Sequence, residues 1–310
     1  MRNFFCFSTF FYYFCNQMKK KQLSILIPVY NETCYDYVKK LAAMCEAMED
    51  AERLTDYEII VADDASTSED CLTANRQIND IPHCRLMEKV QNTGSAATRN
   101  YLAQQSTFDW LLFLDSDMEI SDNDFLLHYL ECEAEGVING GISIGAGSIT
   151  NLRFLYEKRC EAEHTAEMRR ERPYHSFRST NFLIQRDIML RCPFDERFKK
   201  SGYEDVMFGK QLMSQGIVVN HIDNPIVLTS FEDNKSYIEK TERNLRTLYS
   251  YRKELTGFSK FLEVNTLARP FIRLLHIAFG ALERKMLCGS HPRLWMFNAY
   301  RLGYYLTLKG

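Results

Sequence analysis

The chain has 310 residues, 45% of them hydrophobic and 25% charged, with a formal net charge of −3. That length is enough for one large or two small domains with a substantial core, and the slight acidity excludes nucleic acid as the main partner, which needs a basic surface. Ten cysteines are scattered with no Cys-x-x-Cys pair; this argues against a structural zinc site or a disulfide framework and favours buried free thiols in a reducing cytoplasm.

Residues 4–15 are apolar and aromatic but too short to span a bilayer. One Arg precedes them and no small-residue cleavage site follows. Met18-Lys-Lys-Lys21 then reads as the natural start, with residues 1–17 as upstream sequence; the second reading is a short interfacial anchor.

From residue 23 onward strands and helices alternate. The run 23–29 is continuously apolar and reads as a strand. Over 34–53, Val38, Leu41, Met44, Cys45 and Met48 recur at helical spacing. A second strand, 57–62, ends in Asp63-Asp64-Ala-Ser66, and a helix at 68–79, a strand at 84–88, a helix at 95–105 and a strand at 109–115 follow. A helix at 122–135, a Gly-rich strand region at 137–147, a charged helix at 151–172, a strand at 180–186, a helix at 204–215 and short strands within 217–228 complete the pattern. Such alternation predicts an α/β fold with a mostly parallel sheet flanked by helices. The division expected is an extension (1–22), an α/β unit (23–230) and a C-terminal helical region (231–310).

Polar groups gather at the predicted strand ends, where open α/β sheets bind ligands. Pro28-Val-Tyr30-Asn31-Glu32 follows the first strand and Asp63-Asp64 the second. Asn92-Thr-Gly94 leads into Arg99-Asn100, and Leu111-Leu-Phe-Leu ends in Asp115-Ser116-Asp117. Each alone reads equally as a turn or helix cap. Four acidic or polar clusters at successive strand ends are harder to assign to capping, and hard carboxylate oxygens there suit Mg²⁺ or Mn²⁺ carrying substrate phosphates.

In order and spacing, Ser24-Ile-Leu-Ile-Pro-Val-Tyr-Asn31, Val61-Ala-Asp-Asp-Ala-Ser66, Asn92-Thr-Gly-Ser-Ala-Ala-Thr-Arg99-Asn100 and Leu112-Phe-Leu-Asp115-Ser-Asp117 resemble the inverting family 2 glycosyltransferases. The likeness covers roughly residues 23–230. It implies a GT-A fold, with a Rossmann-like nucleotide-binding half, and a nucleotide-diphospho-sugar donor, UDP-linked in the first instance. The donor side implied comprises Pro28, Tyr30, Asn31, Glu32, Asp63, Asp64, Asn92, Gly94, Arg99, Asp115 and Ser116. Asp63 or Asp64 would meet the base or ribose, Arg99 would hold the nucleotide, and Asp115 would approach the ribose. Asp117, with Asp115, would ligate the divalent metal, and His221 is a further candidate ligand.

Gly202-Tyr-Glu204-Asp205 resembles the family's Glu-Asp motif at a helix start. An inverting displacement needs a general base for the acceptor hydroxyl, and the resemblance assigns it to Asp205, with Glu204 as understudy. Asn181, in Arg178-Ser-Thr-Asn181, falls on the acceptor side. The segment 151–172 reads as a solvated helix face, or as a lining of the acceptor groove. The chain lacks a Gln-x-x-Arg-Trp motif after the Glu-Asp helix and any run of 18 apolar residues, so transfer of a single sugar to a saccharide or lipid-linked acceptor, in surface polysaccharide or glycoconjugate synthesis, is expected.

Two rivals stand beside this reading. A sugar nucleotidyltransferase would want a Gly-rich basic loop after the first strand, which Pro28-Val-Tyr30-Asn31 does not offer; a silent scaffold of the same fold would not need the acidic residues. In the tail, Phe271, Leu274, Leu275 and Phe279 beside Arg269 and Arg273 are expected to pack against the α/β unit, a peripheral membrane contact or a dimer contact being the other readings. The oligomeric state stays open.

Overall fold

The computed structural model describes residues 20–199, 202–263 and 268–309; both readings of residues 1–17 fall outside them. Strands β1 (Gln22–Val29), β2 (Asp56–Asp63), β3 (Cys84–Glu88) and β4 (Trp110–Leu114) lie side by side in the order β3-β2-β1-β4 and all run parallel. Helices α1 (Tyr35–Asp50), α2 (Glu69–Arg76) and α3 (Ser95–Gln105) connect them. The sheet continues through β8 (Asn181–Gln185), β6 (Val137–Asn139) and β9 (Val219–His221); β8 alone runs against its neighbours. The α/β class with a mostly parallel central sheet is therefore as the sequence pattern predicts.

Both faces of this sheet are dry, which explains why its strands are continuously apolar. Alternation sends Ile25, Ile27, Ile59, Val61, Leu112 and Leu114 to one side, against Val38, Leu41 and Cys45 of α1. Leu26, Ile60, Leu111 and Phe113 go to the other, against Ala96, Leu102 and Ala103 of α3. Phe113 stacks on Phe182 across the β4–β8 pair, with ring centroids 4.8 Å apart. The eight cysteines among the described residues are all free.

The structure departs from the sequence pattern where tertiary contacts override local signals. Residues 137–147 are not one strand region: β6 joins the main sheet, whereas β7 (Ile142–Ile144) joins a small second sheet with β10 (Ile226–Leu228) and β5 (Met118–Glu119). Residues 217–228 divide between the two sheets in the same way. The expected helix at 122–135 shortens to α4 (Phe125–Glu131), and the charged helix at 151–172 breaks into α5 (Leu152–Glu161) and α6 (Ala166–Glu171), the latter capped by the Thr165 side chain. A short α7 (Arg186–Arg191) follows β8 without having been signalled. Helix α8 (Glu204–Ser214) and the C-terminal helices α9 (Asn234–Ser250), α10 (Arg269–Leu287) and α11 (Leu294–Thr307) complete the chain.

Neither reading of 151–172, solvated face or groove lining, describes Arg169. Its guanidinium is buried and donates to Asn139 O and Oδ1, Gly140 O and Ile222 O at 2.8–3.1 Å, stapling the chain where it leaves one sheet for the other. Asn181 does similar work. Its Nδ2 donates to Gly141 O at 3.0 Å and Asn224 O at 2.9 Å, and its Oδ1 accepts from Tyr129 Oη at 2.7 Å. With both ends of its amide engaged inside the protein and its side chain buried, Asn181 holds the fold rather than facing an acceptor.

Replacing Asn181 by Leu strands the Asn224 carbonyl and the Tyr129 hydroxyl in the interior and takes one of two hydrogen bonds from the Gly141 carbonyl, so the chain should lose about 3 kcal/mol of unfolding free energy. Urea denaturation measures the loss, and nucleotide affinity of the folded fraction should be unchanged.

Candidate active site

Because β1, β2 and β4 are parallel and in register, with Val29 opposite Asp63, their C-terminal ends meet along one edge. A cleft of about 380 Å³ opens there. The first strand end supplies Pro28 and Tyr30 to its wall, the second Asp64, the loop before α3 Asn92 and Gly94, and the fourth Asp115, Ser116 and Asp117. Arg99 on α3 and Glu204 at the start of α8 close it. Half-exposed Tyr30 presents an aromatic ring at the rim.

Asp115 and Arg99 form a close ion pair in the cleft. Arg99 Nη2 donates to Asp115 Oδ1 at 2.6 Å, with the Arg99 side chain 4% exposed. Its Nε and Nη1 are buried with no partner among the described residues. Buried donors left in this state are costly. Asp117 makes no ion pair among the described residues, and burial, followed by the charge of Asp115, raises its pKa. Arg153 and Lys240 oppose that rise from further off, although Glu232 holds both in ion pairs of its own.

Asp64 is arranged differently. Burial pushes its carboxyl up, but bonds from Lys89 Nζ (2.6 Å), Thr93 N (3.0 Å) and Gly94 N (2.8 Å) outweigh it, and the net shift is downward. A carboxylate so occupied shapes the 92–94 loop. Asp63 is buried and lies outside the cleft lining; Oδ1 accepts from Ser66 N at 2.7 Å, while Oδ2 has no partner among the described residues. Asn31, with φ +52°, accepts from Thr67 N and Ser68 N through Oδ1 and clamps the loop after β2. Exposed Glu32 does not line the cleft.

Gly94 stands at φ +88°, just before α3, and a Cβ there would lie 2.5 Å from the carbonyl oxygen of Lys199. Only glycine fits both demands. The same approach brings Lys199 to the cleft, a cation that no local pattern in the sequence announces. Asn100 holds that segment down, exchanging hydrogen bonds with the backbone of Phe194 at 2.9 Å.

On the second wall, Glu204 accepts from Ser95 Oγ at 2.9 Å and from Gly202 N at 2.8 Å, linking the α8 N-terminus to α3. Asp205, the next residue, is half-buried. Burial first and the neighbouring Glu204 second push its carboxyl up to about 6, with Arg178 and Arg99 holding it down against them. Tyr203, immediately before, sits in the left-handed region at φ +69°, an uncommon and strained position for a tyrosine.

His221 is not available as a metal ligand in this arrangement. Its Nε2 donates to Pro173 O at 2.9 Å and its Nδ1 accepts from Arg169 at 3.0 Å, so neither nitrogen keeps a free lone pair. Burial lowers its pKa to about 4, consistent with a neutral ring beside a guanidinium. No group of three or more His, Cys, Asp or Glu side chains converges as a metal site among the described residues.

Comparison with known proteins gives the family and the fold. The chain matches the model of the glycosyl transferase family 2 over residues 24–197, more than half its length, and it belongs to that family. An uncharacterized glycosyltransferase of Haemophilus influenzae is 28% identical over 134 residues, covering 38% of this chain and 51% of that protein, so the chain matches about half the length of this curated relative. The mannosyltransferase PcManGT from Pyrobaculum calidifontis, solved with GDP-Man and Mn²⁺, aligns over 97% of this chain and 94% of that one with a TM-score of 0.54 at 15% identity. Staphylococcus aureus TarS aligns at 17% identity and a TM-score of 0.49, over 91% of this chain and 55% of its own. At these identities the structural likeness bears on the fold alone, which is the GT-A fold.

Gly94→Ala should destabilise the chain by about 2 kcal/mol, because alanine at positive φ is strained and its methyl group meets a carbonyl. A thermal melt should record the loss together with weaker nucleotide binding, since the Asp64-bound loop forms part of the cleft.

Proposed function

We propose that this member of glycosyl transferase family 2 is an inverting, metal-dependent enzyme that transfers one sugar from a nucleotide-diphospho-sugar to an acceptor hydroxyl. A UDP-sugar is the first donor to test. The acceptor is a saccharide or a lipid-linked group, and the product belongs to a surface polysaccharide or glycoconjugate. The observation that carries the proposal is one cleft at the strand ends lined by Asp115, Asp117, Arg99 and Glu204, with Asp205 the next residue along α8.

The residues fit a divalent ion. Two carboxylates share the end of β4 and only one has a cationic partner, so a further positive charge would relieve their repulsion. Asp117, with Asp115, would hold Mg²⁺ or Mn²⁺, whose remaining coordination would come from diphosphate and water oxygens, as such ions prefer. When bound, the ion offsets charge on the departing diphosphate. Arg99, which lines the cleft, adds positive charge beside the diphosphate. Tyr30 offers an aromatic surface to the base.

Asp205 is the proposed base. A carboxyl near 6 is ionised at neutral pH yet basic enough to accept a proton from the attacking hydroxyl. Arg178 stabilises its charged form, and Glu204, fixed by Ser95, positions the start of α8. Attack from that wall, opposite the leaving diphosphate, inverts the anomeric centre.

Thermal-shift screening of nucleotide-sugars with Mn²⁺ should identify the donor as the compound that raises Tm, because a ligand of the native state stabilises it. Asp117→Asn should abolish metal-dependent transfer with the fold intact, and near-normal turnover would remove the metal role. Asp205→Asn should lower kcat about 10²–10⁴-fold while sparing donor affinity.

The wild-type rate should rise with pH through about 6 as Asp205 ionises. An acid limb in the ordinary carboxylate range would reassign the base. Condensation of a nucleoside triphosphate with a sugar phosphate would indicate a nucleotidyltransferase instead. Donor binding with no turnover on any acceptor, nor hydrolysis, would indicate a scaffold.

A further inference from the structure

Helix α10 is turned outward. Phe271, Leu274, Leu275, Phe279, Leu282 and Met286 recur at helical spacing on one face, where an amphipathic helix of a soluble protein meets its core. In the structure that face is open to solvent: Phe271 and Leu274 are each 64% exposed and Leu282 is 56% exposed. The expectation that these residues pack against the α/β unit is thereby overturned.

The face turned toward α9 and α11 is small or polar along most of its length and ends in Leu287, buried against Ile238, Met296 and Phe297. Arg284 pairs with Glu242 of α9 at 2.9 Å, and half-buried His276 fits against Gly303 of α11, where a Cβ would come within 2.5 Å of the histidine Cβ. Trp295, in the first turn of α11, the helix that follows α10 in the chain, is 69% exposed.

Charge distinguishes what would cover this face. Residues 268–310 hold seven Lys and Arg against one Glu, in a chain whose formal charge is −3. Arg273, Lys285 and Arg293 are exposed and make no ion pair among the described residues. A second copy would bring the same excess of positive charge against itself. An anionic lipid surface complements it, and an apolar stripe flanked by Lys and Arg with a tryptophan is the composition of a helix lying in the plane of a bilayer. No helix among the described residues is long and apolar enough to cross a membrane. We infer that α10, with Trp295, docks this protein peripherally on an anionic membrane surface.

The test is co-sedimentation of the full chain with vesicles of phosphatidylcholine alone and of phosphatidylcholine with about one-third phosphatidylglycerol. The anionic vesicles should bind at least about tenfold more protein, and the excess should fade as salt shortens the Debye length below about 10 Å. Phe271→Ser/Leu274→Ser/Phe279→Ser should cut partition about tenfold or more, with Tm and hydrolysis of a soluble donor unchanged. The inference is overturned if anionic vesicles bind no better than neutral ones, or if the triple variant binds like the parent. It also falls if a chain beginning at Met18 loses binding that the triple variant keeps. A solution dimer dissolved by the triple substitution, with no vesicle binding, would assign the face to a second copy. Because the readout is partition, failure here leaves the transferase reading standing.

Discussion

A sheet that is dry on both faces leaves its polar chemistry one place to go. Ile25, Ile27, Leu112 and Leu114 fill one side and Leu26, Leu111 and Phe113 the other, so a carboxylate along β4 would sit in hydrocarbon. Asp115 and Asp117 come immediately after Leu114, at the first point where water and a ligand can reach them. Parallel pairing then makes this a collective property. Val29 is opposite Asp63 and Leu26 opposite Phe113, so several strand ends arrive at one edge and pool their polar groups. The cleft is a consequence of the register.

Within the cleft the charges fall into two kinds. Asp64 is answered by Lys89 and two backbone N–H groups and is held ionised. Asp117 makes no ion pair among the described residues, with Arg153 and Lys240 acting on it only from further off, and Arg99 answers Asp115 with one nitrogen while two others have no partner among those residues. The first kind builds a wall; the second retains binding energy for something that enters. Asp205 stands between these extremes, its carboxyl raised by burial and by Glu204 and restrained by Arg178. That balance, more than proximity, separates a group able to exchange a proton from one that only carries charge.

Much of this was legible in the chain because it is local. Continuous apolar runs mark β1, β2 and β4 without ambiguity, and a strand end is visible as the residue where a run becomes polar. Hence Asp115, Asp117, Asp64 and Arg99 could be named before any contact was known. What sequence reading missed or misplaced depends on partners far along the chain. Asn181 resembles a ligand-facing amide until Gly141, Asn224 and Tyr129 are seen to occupy it. His221 reads as a candidate ligand until Arg169 and Pro173 take its two nitrogens. Lys199 reaches the cleft only because Gly94 lets that backbone approach. In the second half, Gly140 and Gly141 interrupt a β-rich run, but nothing local says that the two halves of the run enter different sheets.

The C-terminal helices illustrate a related limit. Periodicity reports that a helix has two unlike faces, yet it carries no sign: the same stripe fits a core, a bilayer or a partner. For α1 the sign is inward, because the sheet offers an apolar surface to Val38 and Leu41. For α10 it is outward over most of the helix, because the neighbouring helices offer Glu242 to Arg284 and the backbone of Gly303 to His276, and only Leu287 at its end enters their apolar cluster. Polar pairing along the inner side goes with an apolar side that faces out. Exposed leucine and phenylalanine are the consequence of that pairing, and the surplus of arginine and lysine around them selects the surface they meet.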